Sequence, residues 1–268
     1  MSTIAAERPS TSFGRQMLNK VPEVTLFFWV IKIMCTTVGE TAADYLNDSL
    51  GFGLTNTTYV TGALLAVLLL IQFRLRRYVP ALYWTVVVVI SVFGTLITDN
   101  LTDRYNVPLT TSTIAFAVIL AIVFATWFAV ERTLSIHTIV TSRREGFYWL
   151  AILFTFALGT AAGDLVGEKA GLGYGVSALI FAGVIALVTG AHFFLKLGAV
   201  LAFWLAYILT RPLGASIGDG LSQTKHDGGL GLGTTGTSYI FLGCILALVT
   251  FLTVTRRDQT PPDVAQGA

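Results

Sequence analysis

Four aspartates recur in short stretches rich in small residues: Asp44 in GETAAD, Asp99 in GTLITD, Asp164 in GTAAGD and Asp219 in GASIGD. Around them the sequence is almost wholly apolar. An ionised carboxylate in apolar surroundings is costly unless it pairs, takes up a proton or binds a cation. Gly, Ser, Thr and Ala beside the acids permit close helix approach and leave carbonyl or hydroxyl oxygens available. Oxygen donors suit hard cations such as Mg²⁺, Mn²⁺ or Ca²⁺, or a proton relay, better than soft metals that favour thiolate. Glu40 precedes Asp44 by one helical turn, and Thr36 and Lys32 continue the same stripe, since residues four apart share a helix face. Thr95, Asp99 and Asp103 form a second such stripe. The candidate cation ligands are therefore Asp44, Asp99, Asp164, Asp219, Glu40 and Asp103. Lys32 and Arg211 are the two cations deep in apolar segments, read either as ion-pair glue between helices or as coupling groups that compete with a bound ion for the acids. For the acids the plainer alternative is hydration at the ends of the helices.

The elements that would position these residues are membrane spans. Of 268 residues, 54% are hydrophobic and only 12% charged, with a mean hydropathy of +0.74. Soluble domains carry about 25% charged residues. At roughly 20 apolar residues per span, eight helices are predicted, near 24–46, 58–74, 81–101, 110–131, 147–167, 174–194, 198–220 and 236–255. The fold class is an all-α polytopic membrane protein. Arg8, Arg15, Lys20, Arg74, Arg76, Arg77, Arg132, Arg143, Arg144, Lys196, Arg256 and Arg257 fall on one side of these spans, opposite Arg104, Lys169 and Lys225. The positive-inside rule then places both termini in the cytoplasm. The first residues lack the apolar core of a signal peptide and read as a tail. A formal charge of +2, spread by membrane side, argues against a nucleic-acid partner. Cys35 and Cys244 both lie in apolar runs and read as small buried hydrophobes.

One shift of 120 residues superposes two pieces of the chain without a gap. FFWVIKIMCTTVGETAADYL (27–46) aligns with FYWLAILFTFALGTAAGDLV (147–166), and LYWTVVVVISVFGTLITDNL (82–101) with AFWLAYILTRPLGASIGDGL (202–221). Apolar bias aligns Leu with Ile, but it does not align Trp, Gly and Asp. The expected organisation is an N-terminal tail (1–23), a first four-helix repeat (24–132), a linker (133–146), a second four-helix repeat (147–255) and a C-terminal tail (256–268). Copies with an even number of spans enter the membrane in the same sense, so a pseudo-two-fold axis along the membrane normal would bring the four aspartates round one axis. Glu40 and Asp103 have Thr160 and Gln223 as mates, which makes any site lopsided.

Other chemistries leave weaker traces. GGLGLG at 228–233 follows no strand and cannot be read as a phosphate cradle. His137 and His192 read as surface or interfacial residues. AAGD and SIGD are similar to the GxGD motif of intramembrane aspartyl proteases, whose two aspartates would share a proton, but Ala161 or Ser216 replaces the first glycine and there are four such positions instead of two.

In GETAADYL, SIHTIVTSRREGFYW and LTRPLGASIGD the chain resembles a family of uncharacterised bacterial multi-pass membrane proteins with repeated acidic helices, over residues 20–257. The resemblance implies a bacterial inner-membrane location and no substrate. The expected function is secondary transport or export of a small inorganic cation, a divalent metal before a monovalent one, with protons as the exchange partner and no resident cofactor. An intramembrane aspartyl hydrolase and a non-transporting scaffold or sensor are the alternatives. A homodimer is compatible with the sequence, which selects no interface.

Overall fold

A computed structural model describes residues 19–169, 171–226 and 228–259. The outermost parts of both tails lie outside the described residues. Among these residues eight helices are long and apolar enough to cross a membrane. They are α1 (Leu26–Asp44), α2 (Gly53–Arg74), α3 (Pro80–Asp99), α4 (Leu109–Glu131), α5 (Ser142–Asp164), α6 (Gly173–Leu195), α7 (Ala199–Ser222) and α8 (Gly233–Thr255). Local signals set their starts. Thr25 and Thr141 accept hydrogen bonds from Phe28 N and Arg144 N as N-caps, and Pro80 opens α3, where its missing N–H costs nothing. α2 begins five residues before its predicted start, because Gly53 takes φ +71° and turns the chain straight into a polar first turn that reads as loop.

The helices form two shells. α1 packs on α3 and α7, and α5 packs on the same two, so the odd-numbered helices close a ring. Each even-numbered helix then lies mainly against the inner helix of the next pair: α2 on α3, α4 on α5, α6 on α7 and α8 on α1. In their most apolar windows the four inner helices are each 61% buried, against 6–28% for the outer four. The outer helices are therefore apolar all round and the inner ones carry the polar residues.

The repeating unit is a helix pair, two of which make up each four-helix unit read from sequence. Trp29, Trp84, Trp149 and Trp204, Gly39, Gly94, Gly159 and Gly214, and the four aspartates hold one register in all four inner helices. The spacing is 55 residues within each half and 65 across the longer 133–146 link, so only the two-step shift of 120 is uniform along the chain. Packing follows the same register. A Cβ on Gly39 would strike the Ser91 side chain, on Gly94 the Phe156 Cβ at 2.6 Å, on Gly159 the Arg211 side chain, and on Gly214 the Thr36 side chain. Thr36, Ser91, Phe156 and Arg211 are themselves equivalent positions. Each inner helix thus seats a side chain in the glycine notch of the preceding one, and Gly214 against Thr36 closes the ring.

The end of the bundle opposite the aspartates is tied shut. Lys20 Nζ lies 2.6 Å from Glu145 Oε2, both side chains 1% exposed, and also donates to the carbonyls of Gln72 and Phe73 at 3.2 Å. Tyr78 donates to Asp258 Oδ2 at 2.6 Å, and Glu23 N to Asp258 O at 2.9 Å. Trp204 Nε1 donates to Leu134 O at 2.9 Å, holding the link down. Residues 20–23 and 256–258, placed in the tails by sequence, belong to the folded body because these buried polar groups satisfy one another.

Candidate functional site

Four-residue steps along the inner helices stack equivalent side chains in layers down the ring. Starting opposite the aspartates, the layers are Phe28, Tyr83, Tyr148 and Phe203; Lys32, Val87, Ile152 and Tyr207; Thr36, Ser91, Phe156 and Arg211; Glu40, Thr95, Thr160 and Ala215; and the four aspartates. The first layer is aromatic and mostly buried, and the last is acidic and half-buried.

A buried polar contact lies just inside the aspartates. Arg211, 0% exposed, directs Nη2 to Glu40 Oε2 at 2.7 Å, to Thr160 Oγ1 at 2.7 Å and to Thr95 Oγ1, while Nη1 donates to the Thr36 carbonyl at 3.3 Å. Glu40, Thr95 and Thr160 are equivalent residues of the other three repeats. In the fourth repeat that position is Ala215, which leaves room for the guanidinium. The side chain of one repeat is thus received by the other three, in a layer where its charge has one carboxylate counter-ion. Sequence reasoning named Arg211, Glu40 and Thr95 but not their contact. It set Lys32 as the cation competing for Glu40 and read Arg211 as interhelical glue or a coupling group without naming its partner. Lys32 is eight residues from Glu40 on one helix, about 12 Å, whereas Arg211 reaches Glu40 one layer across the ring.

Lys32 is 1% exposed and makes no hydrogen bond among the described residues. Its Nζ lies 4.2 Å from the centre of the Phe156 ring and 4.1 Å from that of Tyr207, so aromatic faces take the place of an anion.

The structure gathers the predicted acids unevenly. Asp99 has Glu40, Asp164, Asp44 and Asp103 as electrostatic neighbours. Asp164 and Asp219 line one narrow cleft with Tyr174 and Ser216. Asp44, Asp99 and Asp164 are each the last α-helical residue before a π-helical turn, Tyr45–Ser49, Asn100–Arg104 and Leu165–Lys169, whereas α7 runs on as α-helix past Asp219. Such turns often mark functional positions in helices. Asp103 lies within the second of these turns, beyond the α-helical part of the Thr95–Asp99 stripe. It is exposed and accepts from Thr102 Oγ1 at 3.0 Å. Among the described residues no three His, Cys, Asp or Glu side chains stand close enough to hold a metal ion as they are placed.

A separate apolar cavity of about 590 Å³ lies between α1, α6, α7 and residues 134–137. Thr189 and His192 line it where α4 carries the bulkier Phe124 and Trp127 at the matching positions. It contains none of the acids.

Eight helices long and apolar enough to cross a membrane, paired in a ring about a polar axis, suggest a multi-pass membrane protein. The chain belongs to the family described as Repeat of Unknown Function (DUF347), whose model matches four times, at residues 27–78, 82–133, 147–197 and 202–258. Each match is one helix pair, and each begins at the start of an inner helix. Neither the curated proteins nor the solved structures contain a match to this chain.

Proposed function

We propose that the protein is a secondary transporter or exporter of a small inorganic cation, a divalent metal before a monovalent one, with protons as the exchange partner. One observation carries this reading: a tethered cation, Arg211, is already bound in the ring by oxygens from all three other repeats, directly beneath four equivalent aspartates. A site that accepts a guanidinium between a carboxylate and two hydroxyls has the oxygen donors a hard cation requires. An ion gathered by Asp44, Asp99, Asp164 and Asp219 would compete with Arg211 for Glu40. Two positive charges cannot share that one carboxylate cheaply in a low dielectric, so ion entry and arginine displacement would be linked. Small movements of the π-helical turns would bring the aspartates into a ligating arrangement. The clustering of Arg74, Arg132, Lys196 and Arg256 at the opposite end favours an orientation with the aspartates outside and both termini in the cytoplasm.

The narrow cleft shared by Asp164 and Asp219 favours a second reading, an intramembrane aspartyl hydrolase. The two readings separate under substitution. For a hydrolase, Asp164→Asn or Asp219→Asn alone abolishes activity, while Asp44→Asn and Asp99→Asn are tolerated. For a transporter, all four alter ion affinity. The test is uptake of a cation panel, with Mn²⁺ as lead probe, into proteoliposomes with and without a pH gradient. Saturable Mn²⁺ flux that weakens in Asp99→Asn is the expected result. No flux of any cation on the panel, under either gradient, would sink the transport reading.

A further inference from the structure

Inward from Arg211 the ring is rich in aromatic side chains, yet a series of groups able to exchange protons lies among them. Lys32 Nζ, Tyr207 OH, Ser91 Oγ and Arg211 Nε are buried in two adjacent layers, and none has a hydrogen-bond partner among the described residues. Lys32 Nζ lies on the Tyr207 ring at 4.1 Å. Tyr207 has Tyr148 as an electrostatic neighbour, and the Tyr148 and Tyr83 hydroxyls are hydrogen-bonded to each other across α5 and α3. Tyr83 packs edge-on against Tyr78, ring centres 5.6 Å apart. Tyr78 donates to Asp258 at 2.6 Å, at the end of the bundle where the tails are tied.

Packing alone does not require these hydroxyls. The layer of Tyr83 and Tyr148 is completed by Phe28 and Phe203, so the ring fills with phenyl groups where no hydroxyl is needed. The two tyrosines stand on neighbouring helices and meet. Likewise the equivalents of Lys32 and Tyr207 are Val87 and Ile152, and the two polar members again adjoin. A buried polar group without a partner is costly to keep, so the orphaned Tyr207 and Ser91 hydroxyls, beside Lys32 Nζ and Arg211 Nε in two adjacent layers, indicate a use for exchangeable protons.

We propose that Lys32, Tyr207, Tyr148, Tyr83, Tyr78 and Asp258 form a proton-conducting file linking the arginine layer to the opposite end of the bundle. This deepens the exchange reading and rests on it for the partner ion. The Lys32 ammonium gives a proton to a phenol oxygen. Each phenol accepts on its lone pair and passes on its own hydrogen, and the last proton settles on the Asp258 carboxylate. Only N–H and O–H bonds change, and reorientation of the hydroxyls resets the file. The groups able to influence Lys32 are Arg211 and Tyr207 on α7 and Cys35 on its own helix. α3 and α5 present Val87 and Ile152 at its layer, and α8 carries no charged residue. An ion that moves Arg211 would change the field at Lys32, coupling proton release to ion binding.

The test uses the full chain in proteoliposomes with an entrapped pH dye and a potassium diffusion potential, with and without Mn²⁺, and Mn²⁺ uptake is followed in the same vesicles. Tyr148→Phe and Tyr83→Phe keep ring volume and so carry the test even where Lys32→Met yields no folded protein. Tyr59→Phe, 72% exposed on α2, is the control. Expected is proton flux well above protein-free vesicles, reduced at least tenfold in Tyr148→Phe and Tyr83→Phe and unchanged in Tyr59→Phe. Wild-type flux no faster than empty vesicles, or undiminished flux in both tyrosine variants, overturns the file. Proton flux that fails in the tyrosine variants, in a protein that moves no Mn²⁺, supports the file and overturns the transport reading alone.

Discussion

The fourth repeat differs from the other three where the polar axis is built. In the first three, the layer inside the aspartates carries Glu40, Thr95 and Thr160, and each aspartate leads into a π-helical turn. In the fourth, that layer holds Ala215, the preceding layer supplies Arg211, and α7 continues without the wide turn. Pro212 follows the arginine inside the helix and faces Gly163 of α5, where an added Cβ would stand 3.5 Å from it. Three repeats carry oxygen donors in this layer and end in a π-helical turn, and one bears a fixed cation and ends as plain α-helix. The repeats supply a symmetric scaffold, and charges unique to the first and fourth copies, Lys32, Glu40 and Arg211, make its axis asymmetric.

The largest expected effect of disturbing this asymmetry is on stability. Arg211→Met leaves Glu40 buried without a counter-ion and should cost about 3–5 kcal/mol, read as loss of the folded fraction in detergent unfolding. Adding Glu40→Gln to that variant should restore most of it, because the stranded charge is gone. If the double variant is no more stable than the single one, the pair is not the main role of Arg211 in the fold.

Ring closure comes next. Gly214→Ala places a methyl group against Thr36 and should cost about 1–3 kcal/mol, whereas Gly183→Ala on α6, with nothing within 4 Å, should be neutral or gain up to about 1 kcal/mol. Equal effects at the two glycines, measured by thermal unfolding, would argue against tight notch packing.

The acids should differ by repeat as the helix ends do. Asp99, with four carboxylate neighbours, should weaken Mn²⁺ binding about tenfold as Asn, or roughly 1.4 kcal/mol. Asp219→Asn should weaken it less, since its helix end lacks the π-helical turn. Calorimetric titration of both variants ranks them, and the reverse order would place the ion nearer the fourth repeat.

The smallest effect is a pH dependence at the tied end. Burial raises the Asp258 carboxyl above its ordinary range, against the hydrogen bond from Tyr78, which lowers it. The folded form then keeps its proton to higher pH than the unfolded one, so between the ordinary carboxylate value near 3.9 and the raised one this residue's contribution falls as pH rises. Hydrogen exchange of residues 256–259 should slow several-fold relative to intrinsic rates on acidification through that window, and Asp258→Asn should flatten the response.

Much of the architecture was legible before any coordinate. Eight spans follow from apolar run lengths, and the repeated Trp, Gly and Asp mark one register, because both are properties of the chain read locally. The unequal 55- and 65-residue steps concealed the helix pair as the unit. The stripe Lys32, Thr36, Glu40, Asp44 was legible for the same reason, since i and i+4 share a face in any α-helix. The Thr95–Asp99 stripe passes out of α3 into a π-helical turn before it reaches Asp103, and apolar periodicity carries no signal for such a turn.

Partnership across the ring was not legible. Arg211 and Glu40 are 171 residues apart, as are few pairs a local pattern could propose, and their contact depends on the fourth inner helix closing against the first. The same holds for Lys20 with Glu145 and Tyr78 with Asp258, whose residues look like ordinary tail and loop in the sequence. Spans, register and the facing of each helix are settled by the sequence because hydrophobicity and helical geometry act within a few residues. Which charges neutralise one another was decided only by the tertiary structure, because electrostatic pairing depends on distance through space and the ring alone sets that distance.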